Sequence, residues 1–172
     1  MFLVDLFSHL LTITRLLALN YLYTKGHKKI GYCIGRRTGA NSNQRELAYR
    51  DFVKKHNEPF NPDYIFDECL HFEDGEKVIE RIKKMKDPPS ALLVTADQVA
   101  AGIVTCCQKE NISIPDELAI IGFDNQPIAK YINITTIEIP LVEMGRNLFK
   151  QAFIESITHE EVNVELIERQ TV

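Results

Sequence analysis

Two aspartates and an arginine have side chains that could catalyse a reaction or bind a ligand. Asp97 and Asp124 each follow a short apolar segment, and a pair of carboxylates can act as general acid and general base. A guanidinium such as that of Arg45 donates, and a carboxylate accepts, charge-assisted hydrogen bonds with hydroxyl groups. These residues are therefore compatible both with binding of a polyol and with catalysis. Phe72 could stack on the apolar face of a sugar ring or pack in a core.

Motifs for catalysis, metals and cofactors are missing from the sequence. There is no Gly-x-Ser-x-Gly nucleophile motif, and the glycines after the first predicted strand match neither common phosphate-binding loop. Four cysteines occur without the spacing of a zinc site, and we predict that all of them are reduced thiols: Cys33, Cys69, Cys106 and Cys107. We therefore predict no metal, no cofactor and no catalytic residue.

The segments that must position the candidate residues alternate between two periodicities. Apolar runs predict strands at 29–35, 63–69, 91–94, 118–123, 136–139 and 162–168, and helical spacing predicts helices at 42–56, 73–86, 97–110 and 140–156. This alternation predicts an α/β fold with a mostly parallel sheet, flanked by helices in Rossmann-like layers. Ligands of such folds bind beyond the carboxyl ends of the strands, where the loops of this chain are rich in polar residues.

The N-terminal segment, residues 1–26, is unusually apolar and is predicted to contain an amphipathic helix. Its apolar face is defined by residues that recur at three- and four-residue steps: Leu3, Leu6, Leu10, Ile13 and Leu17. Such a face packs on the rest of the chain, or on a partner that is missing or is another chain. Charged residues interrupt the segment, so neither a signal peptide nor a membrane-spanning helix is expected.

Composition and charge exclude several classes of protein. The chain has 172 residues, of which 45% are hydrophobic and 26% charged, as is ordinary for one globular domain or a piece of a larger protein. It carries 20 lysines and arginines against 24 aspartates and glutamates, for a net charge of -4. A chain that grips DNA by itself usually has a basic excess, so we expect no direct DNA binding.

Several motifs occur in order along residues 26–172. They are Gly26–Tyr32, Gln44–Tyr49, Thr95–Gly102 and Ile114–Asn125, followed by Tyr131, Thr135–Ile137 and Met144–Gly145. Together they resemble the effector-binding core of lactose-repressor and galactose-repressor type (LacI family) transcription regulators. The segment Ile-Pro-Asp-Glu-Leu-Ala-Ile-Ile-Gly-Phe-Asp-Asn at 114–125 is close to the most specific stretch of that family.

The resemblance implies a periplasmic-binding-protein-like (type I) core of two lobes with a ligand cleft between them. Residues 27–139 would form the C-terminal lobe, residues 140–172 a helix and return strand that complete the two-lobe core, and residues 1–26 a remnant of the lobe entry. Nothing in the sequence resembles the helix-turn-helix headpiece, through which the family reaches operator DNA. The implied partners are a sugar or sugar phosphate effector and a second copy of the chain. The implied location is the cytoplasm, without membrane contact.

The resemblance also implies individual binding residues. Arg45 and Asp124 would be the main ligand contacts, Phe72 a stacking aromatic, and Asn41 and Asp97 polar residues of the cleft. Where the family has an asparagine before this aspartate, the chain has Ala96, which removes one hydrogen-bonding amide.

A dimer surface is implied on the helix that begins at Asp97. Its predicted interface residues are Val99, Ile103, Cys106 and, beyond the helix, Tyr131. The alternative is that this helix packs entirely in the core of the chain.

The leading hypothesis is the effector-sensing part of a ligand-responsive regulator of carbohydrate metabolism, in which a bound ligand shifts a conformational population. The alternatives are a solute-binding protein of a transport system, a half-lobe with only an oligomerisation role, and a small enzyme that uses Asp97 and Asp124. Because a single lobe would leave apolar helix faces uncovered, we also predict self-association.

Overall fold

The computed structural model of the chain describes residues 2–36, 40–153 and 163–172, without the side chains of residues 2–12, 40–45, 148 and 151–153. The helices are α1 (Phe2–Thr24), α2 (Ala40–Lys55), α3 (Asp74–Lys83), α4 (Asp97–Glu110), α5 (Pro127–Tyr131) and α6 (Leu141–Phe153). The strands are β1 (Ile30–Cys33), β2 (Ile65–Phe66), β3 (Ala91–Val94), β4 (Ala119–Phe123), β5 (Thr135–Glu138) and β6 (Glu165–Ile167). A 3-10 helix, Pro62–Tyr64, precedes β2.

The six strands form one sheet in the order β2-β1-β3-β4-β5-β6. Neighbouring strands are parallel from β2 to β5, and β6 alone runs antiparallel, beside β5. Parallel strands bring their carboxyl ends to the same edge of the sheet, so the loops that follow β1, β2, β3 and β4 share that edge. The predicted α/β fold with a mostly parallel sheet is confirmed.

Both faces of the sheet are covered, which explains why its strands are apolar at nearly every position. On β3, the side chains of Leu92 and Val94 pack with α3 and α4, whereas Ala91 and Leu93 pack with α1 and α2. Strand geometry produces this division, because successive side chains point to opposite faces. The sheet is therefore the middle layer of three.

The strands and helices predicted from the sequence are all present among the described residues, with bounds that differ by a few positions. The β2 strand is shorter than predicted, because a 3-10 helix takes up the residues before it. Helix α5 was not predicted, since its five residues are too few to show a helical period.

The predicted helix in the N-terminal segment is confirmed, but its predicted apolar face is wrong over the part whose side chains are described. Ile13 is 59% exposed and Leu17 38% exposed. The buried stripe instead carries polar as well as apolar side chains: Thr14, Arg15, Ala18, Leu19 and Leu22. The hydrophobic pattern predicted the wrong face of the helix because polar residues interrupt the stripe that is buried. Leu3, Leu6 and Leu10 lie outside the described side chains.

None of the described helices is both long and apolar enough to cross a membrane.

Candidate functional site

The loop between β4 and α5 has an unusual backbone conformation and lies at the carboxyl edge of the sheet. Asp124 has φ 89 and Asn125 has φ 47, in the left-handed region that residues other than glycine rarely adopt. The backbone N–H of Asp124 donates to the carbonyl of Ile137 at 2.8 Å, which ties the start of the loop to β5. Asp124 is half-buried, so its carboxyl group lies at the boundary between the core and solvent.

Asp97, the first residue of α4, lies directly behind this loop and is fully buried. Its Oδ2 accepts a hydrogen bond from the backbone N–H of Gln126 at 2.6 Å, and its Oδ1 accepts one from the Thr136 hydroxyl at 2.7 Å. Gly122 makes room for the carboxylate, since a Cβ at that position would lie 2.1 Å from Oδ1. The two aspartates that sequence analysis paired are thus neighbours, but only Asp124 has exposed area.

Burial raises the pKa of Asp97 to about 6, although hydrogen bonds from Thr136, Gln126 and the Phe123 backbone favour the charged form. The negative charge of Asp124 raises this pKa further. The Asp97 side chain has no exposed surface in this structure, and its predicted ligand contact stays a prediction. The same burial removes one partner from the carboxylate pair that the enzyme hypothesis needs.

Asn125 joins a second polar group that sequence analysis missed. Its Oδ1 accepts from the Arg169 guanidinium at 2.7 Å, and its Nδ2 donates to Glu138 Oε2 at 3.2 Å. Arg169 also donates to the carbonyl of Ile134 at 2.7 Å. No sequence signal connects these residues, since Arg169 reaches the loop only because β6 runs back beside β5.

A shallow pocket of about 290 Å³ opens beside this group, between α5 and the C-terminal segment. It is lined by Asn125, Gln126, Pro127, Lys130, Tyr131 and Arg169. The pocket adjoins the β4–α5 loop but includes neither Asp124 nor Phe72, so it does not coincide with the predicted ligand contacts.

Phe72 lies in the loop between β2 and α3, at the same edge of the sheet, and is 37% exposed. Its backbone carbonyl abuts α4, because a Cβ on Gly102 would lie 1.9 Å from the Phe72 oxygen. Asp74 fixes the loop from the other side, since its Oδ2 accepts from the backbone N–H groups of Leu70 and His71 at 3.0 and 2.9 Å. The ring is accessible to a ligand, and its stacking role stays a prediction.

Arg45 and Asn41 lie on α2, the helix that follows β1. Their side chains are outside the described part of the structure, so their predicted ligand contacts stay predictions.

The predicted dimer surface divides into buried and exposed residues. Val99 and Ile103 are fully buried in the core formed by α3, α4 and the sheet, and Cys106 is 9% exposed. Neither Val99 nor Ile103 has exposed area in this chain, which favours the alternative of core packing, and their interface role stays a prediction. Tyr131, at the end of α5, is 82% exposed, and its interface role stays a prediction.

The four cysteines are free and buried, as predicted for reduced thiols. Burial raises the pKa of Cys107 to about 12 and that of Cys33 well above its ordinary value, so neither is a reactive thiolate at neutral pH. Within the described residues, no group of three or more histidine, cysteine, aspartate or glutamate side chains could hold a metal ion.

Comparison with known proteins agrees with this architecture. The model of the periplasmic binding protein-like domain family matches residues 19–172. The HTH-type transcriptional regulator YkvZ of Bacillus subtilis is 37% identical over 158 residues, which are 90% of this chain and 49% of YkvZ. The NTD biosynthesis operon regulator NtdR of the same bacterium is 40% identical over 140 residues, 80% of this chain and 42% of NtdR. The chain thus spans about half, or less, of the length of these relatives.

Solved structures show the same fold. A LacI family transcriptional regulator from Lactobacillus casei with bound glucose superimposes with a TM-score of 0.81 at 24% identity, over 94% of this chain and 62% of that one. The same target with bound sucrose gives a TM-score of 0.82, also at 24% identity, over 94% of this chain and 63% of that one. The family match and this shared fold support one conclusion: the chain belongs to the periplasmic binding protein-like domain family, and transcriptional regulators are among its relatives.

Proposed function

We propose that this chain is the effector-binding and dimerisation part of a ligand-responsive transcriptional regulator of carbohydrate metabolism, acting in the cytoplasm. Its role is to bind a sugar or sugar phosphate, and no catalytic step is assigned to it. Residues 27–139 supply one lobe of the effector cleft, and residues 140–172 supply the helix and strand that complete the two-lobe core.

The observation that carries this proposal is the half-buried carboxyl group of Asp124 in a constrained loop at the carboxyl edge of the sheet. Ligands of open α/β sheets bind at this edge. A carboxylate accepts hydrogen bonds from sugar hydroxyls, and an exposed aromatic such as Phe72 suits the apolar face of a sugar ring. The family membership and the sugars bound by the solved neighbours favour the same ligand class.

The regulatory mechanism follows from differential binding. An effector that contacts this edge and a second lobe at once binds a closed arrangement more tightly than an open one, and so shifts the population toward closure. Operator affinity then changes through a headpiece that the resemblance implies, since two binding sites that share one equilibrium are coupled reciprocally.

Calorimetric titration of the full 172-residue chain tests the ligand class. The panel contains D-glucose, sucrose and D-glucose 6-phosphate. We expect at least one of them to bind, and we expect Asp124→Asn to weaken that binding by roughly 10- to 100-fold, as for the loss of a hydrogen bond to a charged group. The matched control is Asp51→Asn on the exposed surface of α2, which should bind like the wild type.

Absence of binding to the whole panel would contradict a sugar effector. Unchanged binding in Asp124→Asn would show that the sugar site lies away from the β4–α5 loop.

The dimerisation part of the proposal is tested by light scattering on the same chain. We expect self-association that Tyr131→Asp reduces, with Leu47→Asp, at a 55% exposed position on α2, as the control. A clean monomer at high concentration would contradict the prediction. We also expect no salt-resistant complex with duplex DNA in a gel shift, given the net charge of -4.

A further inference from the structure

We propose that Asp97 is a positioning residue for the effector site: its carboxylate holds the β4–α5 loop in the one geometry that presents Asp124 at the carboxyl edge of the sheet. The link to an effector rests on the function proposed above. The positioning itself is a property of this chain and is testable without a ligand.

Three successive backbone N–H groups of the loop have separate partners. The N–H of Asp124 donates to the carbonyl of Ile137 at 2.8 Å, and the N–H of Asn125 donates to the Thr136 hydroxyl oxygen at 3.4 Å. The N–H of Gln126 donates to Asp97 Oδ2 at 2.6 Å, the shortest of the three. Two of these partners lie on β5, and the third is the side chain of Asp97.

Asp97 also controls the Thr136 hydroxyl. The hydroxyl hydrogen is directed to Asp97 Oδ1 at 2.7 Å, which leaves the lone pairs of the oxygen free to accept from the N–H of Asn125. Asp97 therefore acts on Gln126 directly and on Asn125 through Thr136. Removal of its carboxylate affects two of the three hydrogen bonds at once.

The loop needs such restraint because of its backbone conformation. Asp124 and Asn125 both have positive φ, which costs free energy in residues that carry a Cβ and persists only where the surroundings enforce it. With the restraint loosened, we expect the loop to relax toward negative φ. Such a change would turn the Asp124 side chain away from its present direction.

The restraint depends on the charge of Asp97. An ionised carboxylate accepts at both oxygens, as the donors from Thr136, Gln126 and the Phe123 backbone require, whereas the protonated group presents one O–H donor and has less acceptor capacity. The Thr136 hydroxyl can reverse its direction, but the N–H of Gln126 cannot. If Asp97 is protonated, the Thr136 hydroxyl oxygen would have to accept a hydrogen bond from the Asp97 carboxyl group. The Thr136 hydroxyl would then no longer donate to Asp97.

The groups that face Asp97 allow it to change charge near neutral pH. Gly122 on β4 and Thr136 on β5 are uncharged, and the loop presents the negative charge of Asp124. Arg169 and Glu138 lie one residue further away. They hydrogen-bond the oxygen and the nitrogen, respectively, of the Asn125 side-chain amide. No cation among these neighbours contacts Asp97, and burial raises its pKa to about 6.

Amide NMR of the full chain without any ligand tests the proposal. Between pH 5 and pH 7.5, the N–H signals of Gln126 and Asn125 should titrate with a common midpoint near 6, the pKa of Asp97. The titration should disappear in Asp97→Asn and persist in Asp124→Asn, which separates the two carboxyl groups. A titration that survives in Asp97→Asn, or a Gln126 signal that does not move, would overturn the proposal.

A second pair of variants keeps the test decisive if Asp97→Asn fails to fold. Thr136→Val removes the hydroxyl and should speed hydrogen exchange at Asn125 at least several-fold, whereas Thr136→Ser keeps the hydroxyl and should restore the protection. Equal exchange in the two variants would contradict the role given to Thr136, and with it the indirect action of Asp97.

The effector experiment separates this inference from the proposed function. If a panel sugar binds, Asp97→Asn should weaken its binding although the Asp97 side chain is fully buried, and wild-type affinity in this variant would contradict the positioning role. If no panel sugar binds, the proposed ligand class fails, while the NMR titration still decides what Asp97 does to the loop.

Discussion

The N-termini of α3 and α4 are built alike but differ in charge environment. Each helix begins with an aspartate, Asp74 in α3 and Asp97 in α4, and each aspartate accepts a backbone N–H from a loop at the carboxyl edge of the sheet. Asp74 accepts from Leu70 and His71, and Asp97 accepts from Gln126. Both aspartates therefore fix a loop that carries a predicted ligand contact.

The two carboxyl groups have opposite pKa shifts. The Lys77 ammonium 2.6 Å from Asp74, together with the two backbone N–H donors, holds the pKa of Asp74 well below its ordinary value. Asp97 accepts similar hydrogen bonds but is fully buried, and no cation of the described part of the chain lowers its pKa, so burial raises this pKa to about 6. The difference shows that the surroundings of a helix N-terminus, and not the residue type, decide whether its aspartate resists protonation or takes up a proton near neutral pH.

Close contact between the two helices holds both N-termini in place. A Cβ on Gly75 of α3 would lie 2.4 Å from the backbone nitrogen of Ile103, and one on Gly102 of α4 would lie 1.9 Å from the Phe72 oxygen. Only residues without a Cβ allow this approach, so Gly75 sets the distance between α3 and α4, and Gly102 sets the distance between α4 and the β2–α3 loop.

The largest expected effect comes from forcing α4 away from the β2–α3 loop. Gly102→Ala should lower the free energy of unfolding by about 3 kcal/mol or more, because the new methyl group meets backbone that cannot move aside. Denaturant unfolding measures the loss. The matched control is Gly145→Ala in α6, where no atom lies within 4 Å of the new Cβ and a gain of about 0.5–1 kcal/mol is expected. Similar stability in the two variants would contradict the tight contact.

The next largest effect is expected for Asp97→Asn, which shows how much the buried charge of Asp97 lowers the free energy of unfolding. The folded-state pKa of Asp97 is raised, so its favourable contribution is complete below pH 4 and is lost as pH rises through about 6. Stability of the wild type relative to Asp97→Asn should therefore fall by about 3 kcal/mol between pH 4 and pH 7, at about 1.4 kcal/mol per pKa unit. Thermal or urea unfolding at several pH values measures this difference, and a flat difference would show that the carboxyl group is solvated.

Asp74→Asn should show the opposite sign with a smaller effect. The folded-state pKa of Asp74 is lowered, so its contribution is present above pH 4 and is lost as pH falls further. We expect the variant to be less stable than the wild type by about 1–2 kcal/mol at pH 7, and the gap to close in acid. The same unfolding series measures it, and a gap that widens in acid would reverse the comparison with Asp97.

Lys77→Ala should have the smallest effect of the series. The lysine side chain is 76% exposed, so solvent and salt screen its ion pair with Asp74 and the pair contributes little to stability. Unfolding at low and high salt measures the contribution. A loss that matches that of Asp74→Asn would assign the low pKa of Asp74 to the cation alone and not to the backbone N–H groups.

Helices α1 and α4 show how far hydrophobic pattern can be trusted. Both helices were predicted from their apolar residues, and both are present. The apolar pattern placed Ile13 and Leu17 on a packing face, but both are exposed; the resemblance placed Val99 and Ile103 on a dimer surface, but both are fully buried in this chain. The period of a helix identifies the element, but which sides of it are covered depends on neighbours from elsewhere in the chain.

The sequence by itself determined the alternation of strands and helices, the edge of the sheet where polar loops gather, and the family, through motifs that are contiguous in the chain. Only the tertiary structure decided that Asp97 is buried behind Asp124, that Thr136 reaches it from 39 residues away, and that Arg169 contacts Asn125. The physical reason is that local sequence sets backbone periodicity, whereas burial and charge arise from segments that meet only when the parallel strands align their ends.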